Sequence, residues 1–152
     1  MKILKFNIIA LALAIVTLGF TACSEADPEF VHTDNFISAM VCMNGRTNDA
    51  SSINGIIYEY DKNNQLLEKG FTPEEAEGGS GVIMFVVSQE EREDFDLTRV
   101  YLRATLTWDE SITPTLSGLQ NIDPVERPEG MVIGVKSGVG KVRKYRIMGV
   151  YE

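Results

Sequence analysis

The clearest pattern in the chain is an alternation. From Arg99 to Trp108, the residues Val100, Leu102, Ala104, Leu106 and Trp108 fall on one parity, and Arg99, Tyr101, Arg103, Thr105 and Thr107 on the other. Successive side chains of a strand point to opposite faces, so this segment predicts a half-buried antiparallel strand with Trp108 on its core side. Val82 to Val87 is apolar at every position, which predicts a central strand covered on both faces. Phe36 to Met43 is an apolar run of strand length, closed by the turn pair Asn44-Gly45 and a polar loop from Arg46 to Ser52. Ile53 to Tyr60 predicts the next strand, with Ile56, Tyr58 and Tyr60 on one face. Asp61 to Asn64 reads as a turn, and Gln65 to Phe71 as the return strand of a hairpin. Met131–Lys136 and Lys141–Tyr151 form a second hairpin through Ser137-Gly138-Val139-Gly140.

The segments between are polar. Thr72 to Gly81 is acidic and glycine-rich and reads as a mobile loop. Ser88-Gln89-Glu90-Glu91 has the form of a capping box, predicting one helical turn to about Asp94. Ser111 to Pro128 holds three prolines and a glycine, so it is expected to be extended loop with a short edge strand near Thr115. The sum is about seven short strands with almost no helix, a pattern that fits a β-sandwich over residues 36–152 better than a barrel.

The N-terminus follows other rules. Lys2 and Lys5 precede an apolar stretch from Phe6 to Phe20, which is shorter than the roughly 20 residues a membrane-spanning helix needs. Thr21-Ala22-Cys23 follows, and a small residue directly before a cysteine at the end of such a stretch resembles the lipobox of bacterial lipoproteins. Phe20 stands where that pattern usually has leucine. The resemblance implies a signal peptide over residues 1–22, cleavage before Cys23, and acylation of the Cys23 thiol and amine. Several acyl chains hold a protein firmly on a membrane where one alone is marginal. Residues 23–35 then form an acidic tether, with Glu25, Asp27, Pro28 and Glu29 opposing any packing. This stretch resembles the acidic export segment of Bacteroidota surface lipoproteins, which implies an outer-membrane protein facing the cell exterior.

Charge and cysteine count refine this picture. The 152 residues carry a net charge of −8. The leader holds two lysines and no acid, so its removal leaves 130 residues at −10. Such a balance excludes general affinity for nucleic acid, which needs clustered cations. With Cys23 acylated, Cys42 has no partner for an intramolecular disulfide and reads as a small buried core residue. His32 is the sole histidine and lies on the tether, so neither cysteine–histidine nor serine-triad chemistry has a placed base. The chain is expected not to be an enzyme.

Ile112-Thr113-Pro114-Thr115-Leu116-Ser117-Gly118, Asp123-Pro124-Val125, Met131 to Ser137 and Gly140 to Ile147 occur in that order. This order resembles the small immunoglobulin-like domains of Bacteroidota surface lipoproteins, over residues 105–150. It departs in the middle loop, where Asp123 and Pro124 are adjacent. The resemblance implies an immunoglobulin-like fold and the cell surface, and by analogy with glycan-uptake systems a carbohydrate ligand.

Candidate chemistry is sparse. Glu90, Glu91, Glu93, Asp94 and Asp96 lack a calcium-loop pattern and enclose Arg92, so they read as a solvated acidic loop, as do Glu74, Glu75 and Glu77. Gly138-Val139-Gly140-Lys141 lacks the spacing of a phosphate loop, because Val135 and Val142 stand where Gly and Ser or Thr belong. No metal or cofactor is expected. Lys136, Lys141, Arg143, Lys144 and Arg146 cluster within eleven residues, with Lys141, Arg143 and Tyr145 on one strand face and Lys144 and Arg146 on the other. They either guard an exposed final strand against edge pairing or form a patch for an acidic glycan, lipid headgroup or protein partner. Tyr101 faces away from the apolar set of its strand, beside Arg103, and is the best candidate for stacking on a sugar. The expected ligand surface is therefore Tyr101, Arg103, Lys141, Arg143 and Tyr145, on a non-catalytic binding module; the alternative is an assembly subunit of an envelope or adhesin complex.

Overall fold

The computed structural model describes residues 32–45, 51–92 and 95–152. The leader, Cys23, most of the tether, the loop from Arg46 to Ala50, and Glu93 and Asp94 lie outside the described residues. His32 to Glu152 forms one compact unit.

Eight strands make two sheets, and the described residues contain no helix. They are β1 (Ala39–Asn44), β2 (Ser52–Asn54), β3 (Ile56–Tyr60), β4 (Ser80–Val87), β5 (Val100–Thr105), β6 (Ser111–Thr113), β7 (Met131–Lys136) and β8 (Val142–Tyr151). The three-stranded sheet runs β2-β1-β5 and the five-stranded sheet β3-β4-β8-β7-β6. The two sheets pack as an immunoglobulin-like β-sandwich. All ladders are antiparallel except β4–β8, which is parallel from Ser80↔Lys144 to Val87↔Tyr151.

Alternation decides what is buried. Met40 and Cys42 of β1, Ile83, Phe85 and Val87 of β4, and Val100 and Leu102 of β5 point inward. Ile133 and Val135 of β7 and Tyr145 and Ile147 of β8 meet them. Phe95, Leu97 and Ile122, from the connecting segments, close one end of the same core. Cys42 is fully buried, and burial pushes its thiol up to about 12. It is therefore expected to stay unlabelled by maleimide in the native protein and to react on unfolding, and raising the pH to about 9 should not speed native labelling as it does for an ordinary thiol.

Several expectations are corrected. Ile53–Tyr60 is not one strand: the chain changes sheets at Gly55, whose N–H donates to the Met40 carbonyl at 2.8 Å. A side chain at Gly55 would press on Ile83 and Phe85, so the corner needs glycine. Gln65–Phe71 contributes only the bridge Tyr60↔Leu66, and the true ladder partner of β3 is β4. The segment from Thr72 to Gly79 is tied down as a series of turns: the Thr72 N–H donates to Glu75 at 2.7 Å and the Glu75 N–H to Thr72 Oγ1 at 3.4 Å, a reciprocal cap. Ser88 Oγ bonds Glu91 at 2.9 Å and residues 89–92 are turns, while the end of the expected helical turn, at Glu93 and Asp94, lies outside the described residues. The edge strand lies at Ser111–Thr113, just before the position expected. Trp108 is not core: β5 ends at Thr105, the chain bends, and the Trp108 N–H donates to Glu110 at 2.7 Å, leaving the indole 56% exposed. Its ring stacks on His32 with centroids 4.2 Å apart, so the end of the expected tether rests on the domain.

Candidate functional site

The side chains expected to form one ligand surface are dispersed. Tyr101 and Arg103 point outward from β5 on the three-stranded sheet, and both are exposed. Lys141 lies just before β8 and pairs with Glu77, whose carboxyl it holds below the usual range. Arg143 and Tyr145 are interior groups, a correction to their place on the surface patch. The reason is parity: they are in phase with Ile147 and Gly149, which β8 turns toward the core.

Inside, these two meet Glu59. Tyr145 donates its hydroxyl to Glu59 Oε1 at 2.6 Å and Arg143 donates Nε–H to Glu59 Oε2 at 2.8 Å. The Arg143 guanidinium also donates to the carbonyls of Ala76, Tyr60 and Ser80 at 2.6, 2.9 and 2.7 Å, and lies over the Phe36 ring at 5.0 Å. The Tyr145 hydroxyl accepts from the Ile37 N–H at 3.2 Å. Burial pushes the Glu59 carboxyl up, opposed by the Tyr145 hydrogen bond and by the Arg143 charge. Burial, then the Glu59 charge, pushes the Tyr145 phenol well above its usual range. The cluster is satisfied and closed; it is a structural clamp joining β3, β8 and the 72–79 segment. A cavity of about 460 Å³ beside it is lined by Phe36, Glu74, Ala76, Glu77, Lys141 and Arg143, of which Glu77, Lys141 and Arg143 are already in ion pairs.

The outer face of the five-stranded sheet is different. Reading across strands, one row is Tyr60, Ser80, Lys144 and Gly134, and the next is Tyr58, Val82, Arg146 and Val132. Small Ser80 between Tyr60 and Lys144 leaves a trough, two strand spacings or roughly 10 Å across. The resulting groove of about 560 Å³ is lined by Tyr60, Asn64, Ser80, Val82, Lys144 and Arg146, with Val132 at its far side. Asn64 is set on the wall by a tight turn: it takes a φ of 61°, and the Asp61 carboxylate accepts from the N–H groups of Asn63 and Gln65, both at 2.8 Å. The Gln65 bond leads in holding the Asp61 carboxyl below the usual range. The outward side chains of β4 (Val82, Met84 and Val86) are half-buried among their neighbours and extend this face as an apolar floor.

The groove was visible in the sequence only in part. The phase separating Lys144 and Arg146 from Arg143 is readable, but their approach to Tyr60 depends on β4 lying between β3 and β8, and its parallel pairing with β8 is a long-range one with no local signal. Among the described residues no group of three or more His, Cys, Asp or Glu is placed to hold a metal. Comparison of the chain with models of protein families, with curated proteins and with solved structures finds no significant match.

Proposed function

We propose that this chain is a non-catalytic surface module that binds carbohydrate in the groove on the outer face of the five-stranded sheet, held at the outer membrane by a lipid on Cys23. The observation that carries the ligand reading is the trough itself. Tyr60 offers an aromatic face, and Asn64 and Ser80 offer an amide and a hydroxyl for sugar hydroxyls. The reading as non-catalytic rests on the chain's single histidine being stacked on Trp108 and on Cys42 being sealed in the core. The anchor rests on the leader and on Thr21-Ala22-Cys23, and the cell surface on the resemblance to Bacteroidota lipoproteins.

Two measurements test this. In affinity electrophoresis against a panel of polysaccharides, the protein should be retarded by at least one, and Tyr60→Ala should abolish the retardation while Tyr101→Ala leaves it. Retardation unaffected by Tyr60→Ala overturns the assignment to this groove. For the anchor, Cys23→Ser should abolish acyl-label incorporation and shift the protein out of the membrane fraction; an unchanged membrane fraction overturns it. The assembly-subunit reading is favoured by one observation, the exposed Ile56, Val132 and Val142 on this same face. It predicts a dominant crosslinked envelope protein in place of polysaccharide retardation.

A further inference from the structure

We infer that the ligand of the outer groove is anionic: a saccharide bearing carboxylate or sulfate groups, bound by Lys144 and Arg146 with its ring against Tyr60. The inference rests on the carbohydrate reading above and narrows it to a chemical class. Both cations stand on β8 two residues apart, so they share a face and lie about 7 Å apart along the strand. No acid lines the groove. Lys144 has no ion-pair partner among the described residues, and Arg146 reaches only the exposed Glu129 at 3.9 Å, a separation that leaves the guanidinium fork open. Of the acids beside the trough wall in sequence, Glu59 is paired inside with Arg143, Glu77 is neutralised by Lys141, and Asp61 keeps its charge on the adjoining turn, set against two backbone N–H groups and Lys62.

Magnitudes favour the local charges over the global one. Without the expected leader the chain is net acidic at −10, which repels a polyanion at long range. At physiological ionic strength the screening length is about 8 Å, so a ligand in the trough senses the two cations beside it far more than distant carboxylates. Arg146 supplies a planar fork suited to two oxygens of one carboxylate or sulfate, and Lys144 a compact charge for a second group. Tyr60 and the Asn64–Ser80 polar pair add what a bare anion does not use, a ring face and donors for hydroxyls.

The test uses the full-length mature protein and four probes: polygalacturonate, a sulfated galactan, a neutral glucan and poly-glutamate. At about 0.15 M salt the acidic polysaccharides should bind and the neutral glucan should bind more weakly. Lys144→Gln and Arg146→Gln should each weaken acidic-polysaccharide binding about ten-fold, and Tyr60→Ala should weaken every polysaccharide. Both cations are exposed, and unchanged thermal midpoints of the glutamine variants would confirm that folding is intact. Neutral glucan bound as tightly as the acidic chains, with no effect of the two glutamine substitutions, overturns the charge assignment and leaves the carbohydrate reading standing. Poly-glutamate bound as tightly as polygalacturonate and indifferent to Tyr60→Ala overturns the saccharide class in favour of an acidic protein segment. If none of the four probes binds, the carbohydrate reading and this inference fall together.

Discussion

Replacing Glu59 with glutamine is expected to destabilise the domain by about 3–5 kcal/mol, because it strands a buried guanidinium. The Arg143 side chain is 2% exposed and, among the described residues, Glu59 is its sole counter-ion. In Glu59→Gln the shape is kept, but the charge that repays the desolvation of Arg143 is gone, and the Tyr145 hydroxyl loses a charged acceptor. Urea denaturation should show a lower midpoint with an unchanged slope. The double variant Glu59→Gln with Arg143→Met should lose less than the two single losses added together, since removing both partners leaves no unpaired charge. A single-variant loss below about 1 kcal/mol would mean that water reaches the guanidinium. Arg143→Met alone has a second consequence: it frees the Ala76, Tyr60 and Ser80 carbonyls, so protease cutting should increase within residues 72–79.

Gly81→Ala should be the other strongly damaging substitution, at about 1–3 kcal/mol or more. Gly81 lies opposite Glu59 on β3 and opposite Tyr145 on β8, on the inward side of β4. A Cβ there would run into the Tyr145 ring, and this neighbour cannot yield cheaply because its hydroxyl is fixed by Glu59 and the Ile37 N–H. Pairing Gly81→Ala with Tyr145→Leu should therefore recover part of the loss, and a thermal-denaturation cycle over the four proteins measures the coupling. Additive losses would show that the ring is not what Gly81 accommodates.

Burial of two titratable groups sets an alkaline limit. Cys42 and Tyr145 both titrate higher folded than unfolded. Above the ordinary thiol and phenol values the unfolded chain releases these protons first. Stability should then fall as pH rises beyond about 9, by up to about 1.4 kcal/mol per unit for each group. Cys42→Ala should shift the onset of that fall upward.

How far the sequence reveals all this depends on the range of the interaction. The hairpin from Met131 to Tyr151 is legible because alternation and the Ser137–Gly140 turn are local: the Gly140 N–H donates to the Ser137 carbonyl at 2.9 Å. The strand from Val100 is legible too, but parity alone extends it to Trp108, past the bend that the Glu110 side chain fixes at the Trp108 N–H. On β3 the usual pattern is reversed, with Tyr58 and Tyr60 outward and Glu59 inward. That reversal makes sense only with Arg143 eighty-four residues away, and no local rule announces the partner. The same distance hides the groove, since Tyr60 and Lys144 become neighbours only through Ser80. In the 72–79 segment a capping signal is present in Thr72-Pro73-Glu74-Glu75, but acidity and glycine content outweigh it when the stretch is read by composition.

The parallel pairing of β4 with β8 bears on how the molecule is made. β8 is the last strand in chain order yet sits between β4 and β7. Until residues 142–151 have been synthesised, β4 lacks one of its two neighbours, the β6–β7 ladder has nothing to join, and Glu59 has no counter-ion. The emerging chain therefore cannot complete its larger sheet and folds late, with the slow kinetics of long-range strand pairing.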